Sequence, residues 1–399
     1  MIAELFSGVS FVFSLAGVKM LVMFLISAIL IYLAIAKDYE PALLLPIGFG
    51  AILANLPPVV ETLMPSAIGT LEEPGFLSVL FNAGIATELF PILIFIAVGA
   101  MIDFSPLIKD PSMIFFGAAA QFGIFATFLL SLVLVPLVLP ETAGNSSLIL
   151  RLASAIGIIG AADGPTTLYV ANYFKLTNYL APISVAAYSY MSLVPVIQPP
   201  VIRALTTAEE RKIRMQYKEQ RASKTILILF PILVTIIAGI LVPMSVPLVG
   251  SLMFGNLIRE CGVLERLSKT AQNELANLVT ILLGITIGST MRAENFLRVD
   301  TLLIMGLGLI AFVFDTAGGV LFAKLINLFR KEKINPMVGA AGISAFPMSA
   351  RVIQKMAKKE DPTNFILMQS ISANVAGQLG SIVAGGMLIT LVGGLLLGL

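Results

Sequence analysis

An all-α polytopic membrane protein is the fold class this sequence predicts, on three observations. Of its 399 residues, 58% are hydrophobic and only 12% are charged, about half the charged share of soluble domains. Mean hydropathy is +0.97. Apolar runs long enough to cross a bilayer recur along the chain, and at about 20 residues per span roughly ten or eleven helices fit.

The same composition excludes several chemistries. With no histidine and one cysteine, Cys261, zinc ligation has too few donors, a Cys–His pair is impossible, and no intrachain disulfide can form. Cys261 itself reads as a small residue near a helix end.

The elements follow in order. No cleavable signal peptide is expected, because the first strong apolar run comes after Lys19 and is long enough to span. The stretch 5–17 is apolar but short, suited to the interface or the edge of a bundle. Residues 20–36 are a first span, bounded by Lys19 and by Lys37 with Asp38. Residues 41–56 carry Pro46, Gly48 and Gly50 and read as a short or irregular span, followed by a polar loop at 70–75. Residues 76–102 contain Asn82, Glu88 and Pro91, which favours a short helix followed by a span. Residues 112–139 are long and apolar. Residues 146–173 are unusual, because a Gly/Ala-rich centre is broken at Asp163-Gly164-Pro165. Residues 179–205 form a proline-rich span. The segment 206–224 is the most charged and its excess is basic (Arg211, Lys212, Arg214, Lys218, Arg221 and Lys224), so it is expected on the cytoplasmic side. Arg330, Lys331 and Lys333 mark a second such loop. Residues 225–242 span, 247–257 are too short to assign as crossing, and 278–290 end in Gly288-Ser289-Thr290. Residues 301–329 hold Asp315, 335–356 form a second interrupted segment around Ser344 and Pro347, and 364–399 complete the chain.

A weak internal repeat accompanies these breaks. GAMIDF (99–104) and GSTMRA (288–293) each end an apolar run, and GAADGP (160–165) aligns with GISAFP (342–347). The expected organisation is N-terminal helices over 1–87, a first repeat over 88–205, a charged loop at 206–224, connecting helices over 225–276 and a second repeat over 277–399. The expected topology is inverted, which hinges on whether 247–257 crosses. Paired interrupted helices mark the central site of many transporters, since backbone groups freed at membrane depth must face protein, water or an ion.

Asp163 is the leading candidate residue. A mid-membrane carboxylate costs about 2.5–3.5 kcal/mol on insertion scales and needs a compensating partner or a role. With carbonyls freed at Gly164-Pro165 it makes a hard-oxygen site for Na⁺ or a proton; the bland alternative is an acid satisfied by a helix N-terminus. Asn335, Ser344, Ser349, Arg351 and Asn374 form the complementary set, for which interhelical packing is the bland alternative. Ser344 and Arg351 share a face if the helix holds past Pro347. Tyr188 and Tyr190 offer hydroxyls, or belong to an interfacial belt. Asp103, Asp315 and Glu88 are further intramembrane or boundary acids, of which Asp315 lies deeper and Asp103 is expected in solvent. No phosphate-binding loop is present, and GLGLIA (306–311) sits inside an apolar helix with no flanking strand, so nucleotide-driven transport is disfavoured.

At GAADGPT (160–166) the chain resembles the membrane β subunit of the sodium-pumping, biotin-dependent decarboxylases of oxaloacetate, methylmalonyl-CoA and glutaconyl-CoA. The resemblance extends through GAMIDF (99–104), GAAAQFG (117–123), VPVIQPP (194–200), Arg351-Val352 and NVAGQLGS (374–381). It implies a multi-pass plasma-membrane subunit that decarboxylates carboxybiotin, delivered by a separate biotin carrier protein, and exports Na⁺ with proton uptake. It implies a carboxyltransferase α subunit and a small membrane γ or δ subunit as partners, and a homo-oligomer within the complex, with no nucleic acid. By the same resemblance Asp163, Ser344, Arg351 and Tyr190 are catalytic. Arg351, Asn335 and Gly339 bind the cofactor, and Asp163, Ser344, Asn374 and Tyr188 bind Na⁺. Two other classes compete, a secondary Na⁺/H⁺ antiporter and a structural anchor for soluble subunits. An antiporter would move Na⁺ without carboxybiotin. Loss of transport on changing Asp163 alone would argue against an anchor.

Overall fold

The computed structural model describes residues 14–37, 40–56, 75–215 and 222–397. Residues 5–13 of the stretch expected at the interface and 70–74 of the polar loop lie outside them, while 15–17 already belong to the first described helix. Lys218 and Arg221 of the charged segment also lie outside them. Among the described residues the regular structure is entirely helical, with thirteen helices of ten residues or more. They are α1 (Leu15–Lys37), α2 (Pro41–Ala54), α3 (Leu89–Met101), α4 (Phe122–Val138), α5 (Ser146–Ile158), α6 (Gly164–Tyr173), α7 (Leu180–Leu205), α8 (Lys224–Leu241), α9 (Val246–Glu260), α10 (Ala276–Thr290), α11 (Val299–Asn327), α12 (Met348–Glu360) and α13 (Leu367–Leu397).

Among the described residues five segments are long and apolar enough to cross a membrane: Gly17–Lys37, Pro111–Val138, Lys224–Leu241, Val299–Asn327 and Leu367–Leu397. Two bent pairs bring the number to seven if each is one span. The first joins Phe76–Ile85 to α3 through a 61° bend, at which Glu88 adopts a left-handed φ of 63°. The second is α7, bent by 66° between Met191 and Leu193. Pro195 supplies the cause, because its ring displaces the carbonyl four residues back, that of Met191, and removes one helical hydrogen bond. The expected ten or eleven helices include shorter apolar ones, among them α2 and the run Ser146–Ala161 that contains α5. They are packed inside the bundle or against their neighbours and fall below spanning length.

Glycine sets the closest crossings. A Cβ on Gly50 of α2 would lie 2.4 Å from the Ile285 carbonyl of α10, and one on Gly99 of α3 would lie 1.9 Å from the Leu252 carbonyl of α9. Both pairs are closed by asparagine. Asn55 Nδ2, past the end of α2, donates to the Met291 carbonyl past the end of α10 at 2.8 Å. Asn256 Nδ2, in the last turns of α9, donates to the Ile102 carbonyl past the end of α3 at 3.0 Å. Each of these side chains replaces a missing helical partner for a carbonyl that lipid could not satisfy.

The outward faces are hydrocarbon. Leu25, Val133, Ile240, Leu302 and Leu395 are all exposed, as a lipid-facing surface requires. Inside the bundle lie two interrupted helices, α5–α6 and the segment from Met337 to α12.

Candidate functional site

The first interruption is built by three consecutive devices. After α5 the chain tightens into a 3₁₀ turn, Ile159–Ala161, and Ala162 turns left-handed at φ 52°. Asp163 then caps α6: its Oδ1 accepts the Thr166 N–H at 3.2 Å, with Gly164 and Pro165 as the first helical residues. Proline suits that position because its absent N–H would have had no intrahelical partner. Gly164 is required there, because a Cβ would lie 2.3 Å from the Tyr188 ring.

The second interruption runs through non-helical backbone over 341–347, between the short helix Met337–Ala340 and α12. Ser344 sits in this gap, and its N–H donates to the Ala161 carbonyl at 3.0 Å. The two breaks therefore touch through their backbones and present their side chains to one place.

That place is Oδ2 of Asp163. It accepts from Thr166 Oγ1 at 2.7 Å, Ser381 Oγ at 2.8 Å, Ser344 Oγ at 3.0 Å and Gln378 Nε2 at 3.1 Å. Ser381 and Ser344 are also 3.0 Å apart, oxygen to oxygen. Asp163 is 4% exposed, so this ring replaces water. Beside it lies a cavity of ≈ 170 Å³ whose wall includes Asp163, Tyr188, Ser344, Phe346 and Gln378. Three hydroxyls can each rotate a proton away and turn a lone pair inward, and an amide can present either its nitrogen or its oxygen. Such a ring can solvate a carboxylate alone or a carboxylate with a small hard cation.

The other sequence candidates scatter. Asn374 Nδ2 donates to the Ile343 carbonyl at 2.6 Å, and its buried Oδ1 has no donor among the described residues; it stands beside the second break. Tyr188 is 2% exposed and lines the cavity. The Tyr190 hydroxyl instead donates to the Met305 carbonyl of α11. Asn335 is fully buried but away from Asp163: its Nδ2 donates to the Arg211 and Ile213 carbonyls, both at 2.9 Å. Gly339 makes a backbone crossing, where a Cβ would lie 2.0 Å from the Gly319 carbonyl. Ser349 donates to Gln198 Oε1 at 3.0 Å. Arg351 is exposed in the first turn of α12. It shares no helix with Ser344, because the helix begins only at Met348, after Pro347.

Ser381 and Gln378 belong to the ring, and reasoning from the sequence singles out neither as a ligand. Asn374, Gln378 and Ser381 fall at i, i+4 and i+7 along α13, one helical face. A polar stripe at that spacing inside an apolar helix was the available signal.

The charged segment is tied to the second break's far end. Arg211 Nε donates to Glu360 Oε1 at 2.8 Å, Arg214 Nη2 to Asp361 Oδ2 at 2.7 Å, and Lys324 Nζ lies 3.1 Å from Glu210 Oε1. Burial works to raise the Glu210 carboxyl, but the Thr207 N–H and Lys324 outweigh it and hold it low. The Thr363 hydroxyl and N–H, with Arg214, hold Asp361 down at about 2. Among the described residues no three acidic or cysteine side chains cluster as a multidentate metal site.

Comparison with known proteins gives one consistent outcome. The family model of the Na⁺-transporting oxaloacetate decarboxylase beta subunit matches residues 19–392. The chain is 49% identical over 389 residues to the methylmalonyl-CoA decarboxylase subunit beta of Propionigenium modestum, covering 94% of this chain and 95% of that one. It is 47% identical over 373 residues to the glutaconyl-CoA decarboxylase subunit beta of Acidaminococcus fermentans, covering 94% and 93%. It is 44% identical over 423 residues to the oxaloacetate decarboxylase beta chain of Klebsiella pneumoniae, covering 94% and 96%.

Proposed function

The chain belongs to the family of Na⁺-transporting oxaloacetate decarboxylase beta subunits, the membrane part of a sodium pump, and from that premise we propose that Asp163 is its Na⁺ ligand. The observation that carries this reading is the ring of Thr166, Ser344, Gln378 and Ser381 closing on one carboxylate oxygen. Ser344, Ser381 and Thr166 supply neutral oxygens, Tyr188 lines the adjoining cavity, and Asn374 lies one helical turn before Gln378 on the same face of α13. A single anion among neutral oxygens matches a monovalent hard cation.

Carboxybiotin, carried by a separate protein, supplies the driving decarboxylation. Arg351 receives its carboxylate, since an exposed guanidinium offers paired donors in the geometry a carboxylate takes. Asn335 and Gly339 act on that encounter at one remove. Asn335 holds the 211–213 backbone in place, and Gly339 lets Met337–Ala340 pack on α11. Tyr190 fixes α7 to α11. Moving one charge outward against about 100 mV costs roughly 2.3 kcal/mol, which decarboxylation covers without a nucleotide. A carboxyltransferase α subunit, a small γ or δ membrane subunit and further copies of this chain complete the complex, with 206–224 facing the cytoplasm.

Alternating access follows from two repeats of inverted topology. The matched crossings of α2 with α10 and α3 with α9, each closed by an asparagine, support the repeat, as do the π turns Phe81–Ile85 and Ala271–Leu275 preceding α3 and α10.

The test is CO₂ release from carboxybiotin on its carrier, with and without Na⁺, for the wild type and Asp163→Asn. Na⁺-stimulated release that disappears in the variant is expected. Na⁺/H⁺ exchange in vesicles with no release in either protein would replace this reading with an antiporter.

A further inference from the structure

A second carboxylate lies inside the bundle, and the sodium ring does not use it. Asp315, on α11, is fully buried. Its Oδ1 accepts the Ile124 N–H at 3.1 Å, in the first turn of α4. Its Oδ2 has no donor among the described residues. Glycine makes the space on both sides: a Cβ on Gly123 would lie 2.5 Å from Oδ1, and one on Gly160 would lie 2.7 Å from Oδ2. Gly160 belongs to the 3₁₀ turn that leads directly to Asp163. Asp315 therefore bridges a helix start at Gln121–Ile124 and the break that carries the sodium ring.

The Oδ1 bond explains half of this side chain. An N-capping role needs one acceptor, and asparagine or serine serves as well. The second oxygen is unexplained, and a bare carboxylate oxygen in this interior is costly unless a cation sits on it. The surroundings decide which cation. Around Asp163 four side-chain donors converge. Against Asp315 Oδ2 the structure places a glycine backbone, with the Ala311 methyl beside the same glycine. A metal ion needs several oxygen ligands at once, whereas a proton needs one.

We propose that Asp315 is the proton-carrying site of the pump, separate from the sodium ring at Asp163. The inference rests on the sodium-pump reading above and divides its ion exchange between two carboxyl groups. The balance is one proton per turnover. The carboxylated carrier nitrogen loses CO₂ as its C–N bond breaks, that nitrogen takes a proton, and the proton is drawn from Asp315 Oδ2, which is then reloaded. The 3₁₀ turn at 159–161 lies between the two sites, so a shift of this turn when Na⁺ occupies the ring reaches Asp315 directly. Few other titrating groups intervene. The segments 114–120, 159–161 and 337–340 and helix α4, all packed on α11, contain no titratable side chain. Helix α7 brings Tyr188, Tyr190 and Arg203, α5 brings Arg151, and α11 itself carries Asp300 and Lys324.

Asp315→Asn tests this, because the amide keeps the Oδ1 acceptor for Ile124 and removes only the proton-binding oxygen. In the reconstituted complex, ²²Na⁺ binding by the variant is expected to match wild type, while decarboxylation and the proton uptake that accompanies it fall to background together. Infrared difference spectra between protein equilibrated at high and at low pH are expected to show a protonated-carboxyl band that persists in Asp163→Asn and is absent from Asp315→Asn. The wild-type and Asp163→Asn spectra carry the test even if Asp315→Asn fails to fold. Wild-type proton uptake in Asp315→Asn, loss of its ²²Na⁺ binding, or a band that vanishes in Asp163→Asn would each overturn the proposal. Loss of the sodium-pump reading itself would show separately, as Na⁺-independent decarboxylation in the wild type.

Discussion

The Ser344 N–H donates to the Ala161 carbonyl across 3.0 Å, so the two interrupted helices are pinned backbone to backbone. The Ser344 hydroxyl is thereby held against Asp163 Oδ2 without its side chain having to hold the backbone. Ser344→Ala and Ser381→Ala should accordingly leave the fold intact and act on Na⁺ alone. A lost contact to a charged group is worth about 1.5–3 kcal/mol, so the Na⁺ concentration for half-maximal decarboxylation should rise roughly tenfold or more in each. Titration of activity against Na⁺ measures this; unchanged half-saturation in both would remove the hydroxyls from the site.

Gly164 and Gly339 should respond differently to alanine. At Gly164 the obstacle is the Tyr188 ring, 2.3 Å from where the methyl would lie, and a smaller side chain can give way. At Gly339 the obstacle is the Gly319 backbone carbonyl at 2.0 Å, which no substitution relieves. Overpacking of this kind costs about 1–3 kcal/mol. Thermal unfolding should show both single variants destabilised, with Gly164→Ala recovering when combined with Tyr188→Leu. Equal stability of Gly339→Ala and wild type would contradict the close crossing with α11.

The tie between 206–215 and α12 should loosen in acid. Asp361 is held at about 2, against an ordinary 3.8, by Thr363 and Arg214. A depressed carboxyl contributes stability that is fully present above the unfolded value and is lost as pH falls through the folded value. The hydrogen-exchange protection of 206–215, with the intrinsic pH dependence of each amide divided out, should therefore be constant above about pH 4 and fall toward about pH 2. Asp361→Asn should show faster exchange at neutral pH and a flattened acid response. Loss of protection already complete at pH 5 would assign the loop's order to another group.

Much of the architecture was legible because membrane backbone leaves few choices. Asp163-Gly164-Pro165 announced a break, since a carboxylate, a residue with no Cβ and a residue with no N–H together suit a helix start inside an apolar run. Ser344 and Pro347 gave the second break for the same reason. Facing was harder to read. Tyr188 and Tyr190 are two residues apart, on different sides of α7, and only packing decides that Tyr188 meets Gly164 while Tyr190 meets Met305. Asn335 lies close in sequence to the second break, yet the short helix at Met337–Ala340 separates them and sends its amide to the charged segment. Ser381 and Gln378 were hidden among the small and polar residues that membrane helices use for packing; only the three-residue stripe with Asn374 distinguished them. Hydropathy alone does not separate a full span from a short apolar helix such as α2 or α5, which lies below the usual spanning length.

The ring at Asp163 draws on three separate stretches of chain, 163–166, 344 and 378–381. No fragment holds it, and an unfolded chain has no affinity for what it binds. On the proposal that this ring binds Na⁺, the transported ion is also a folding ligand. At about a hundredfold excess over its dissociation constant a ligand confined to the native state adds about 2.7 kcal/mol of stability. Sodium present during purification would then protect the very protein that exports it, and its removal would expose the subunit to denaturation.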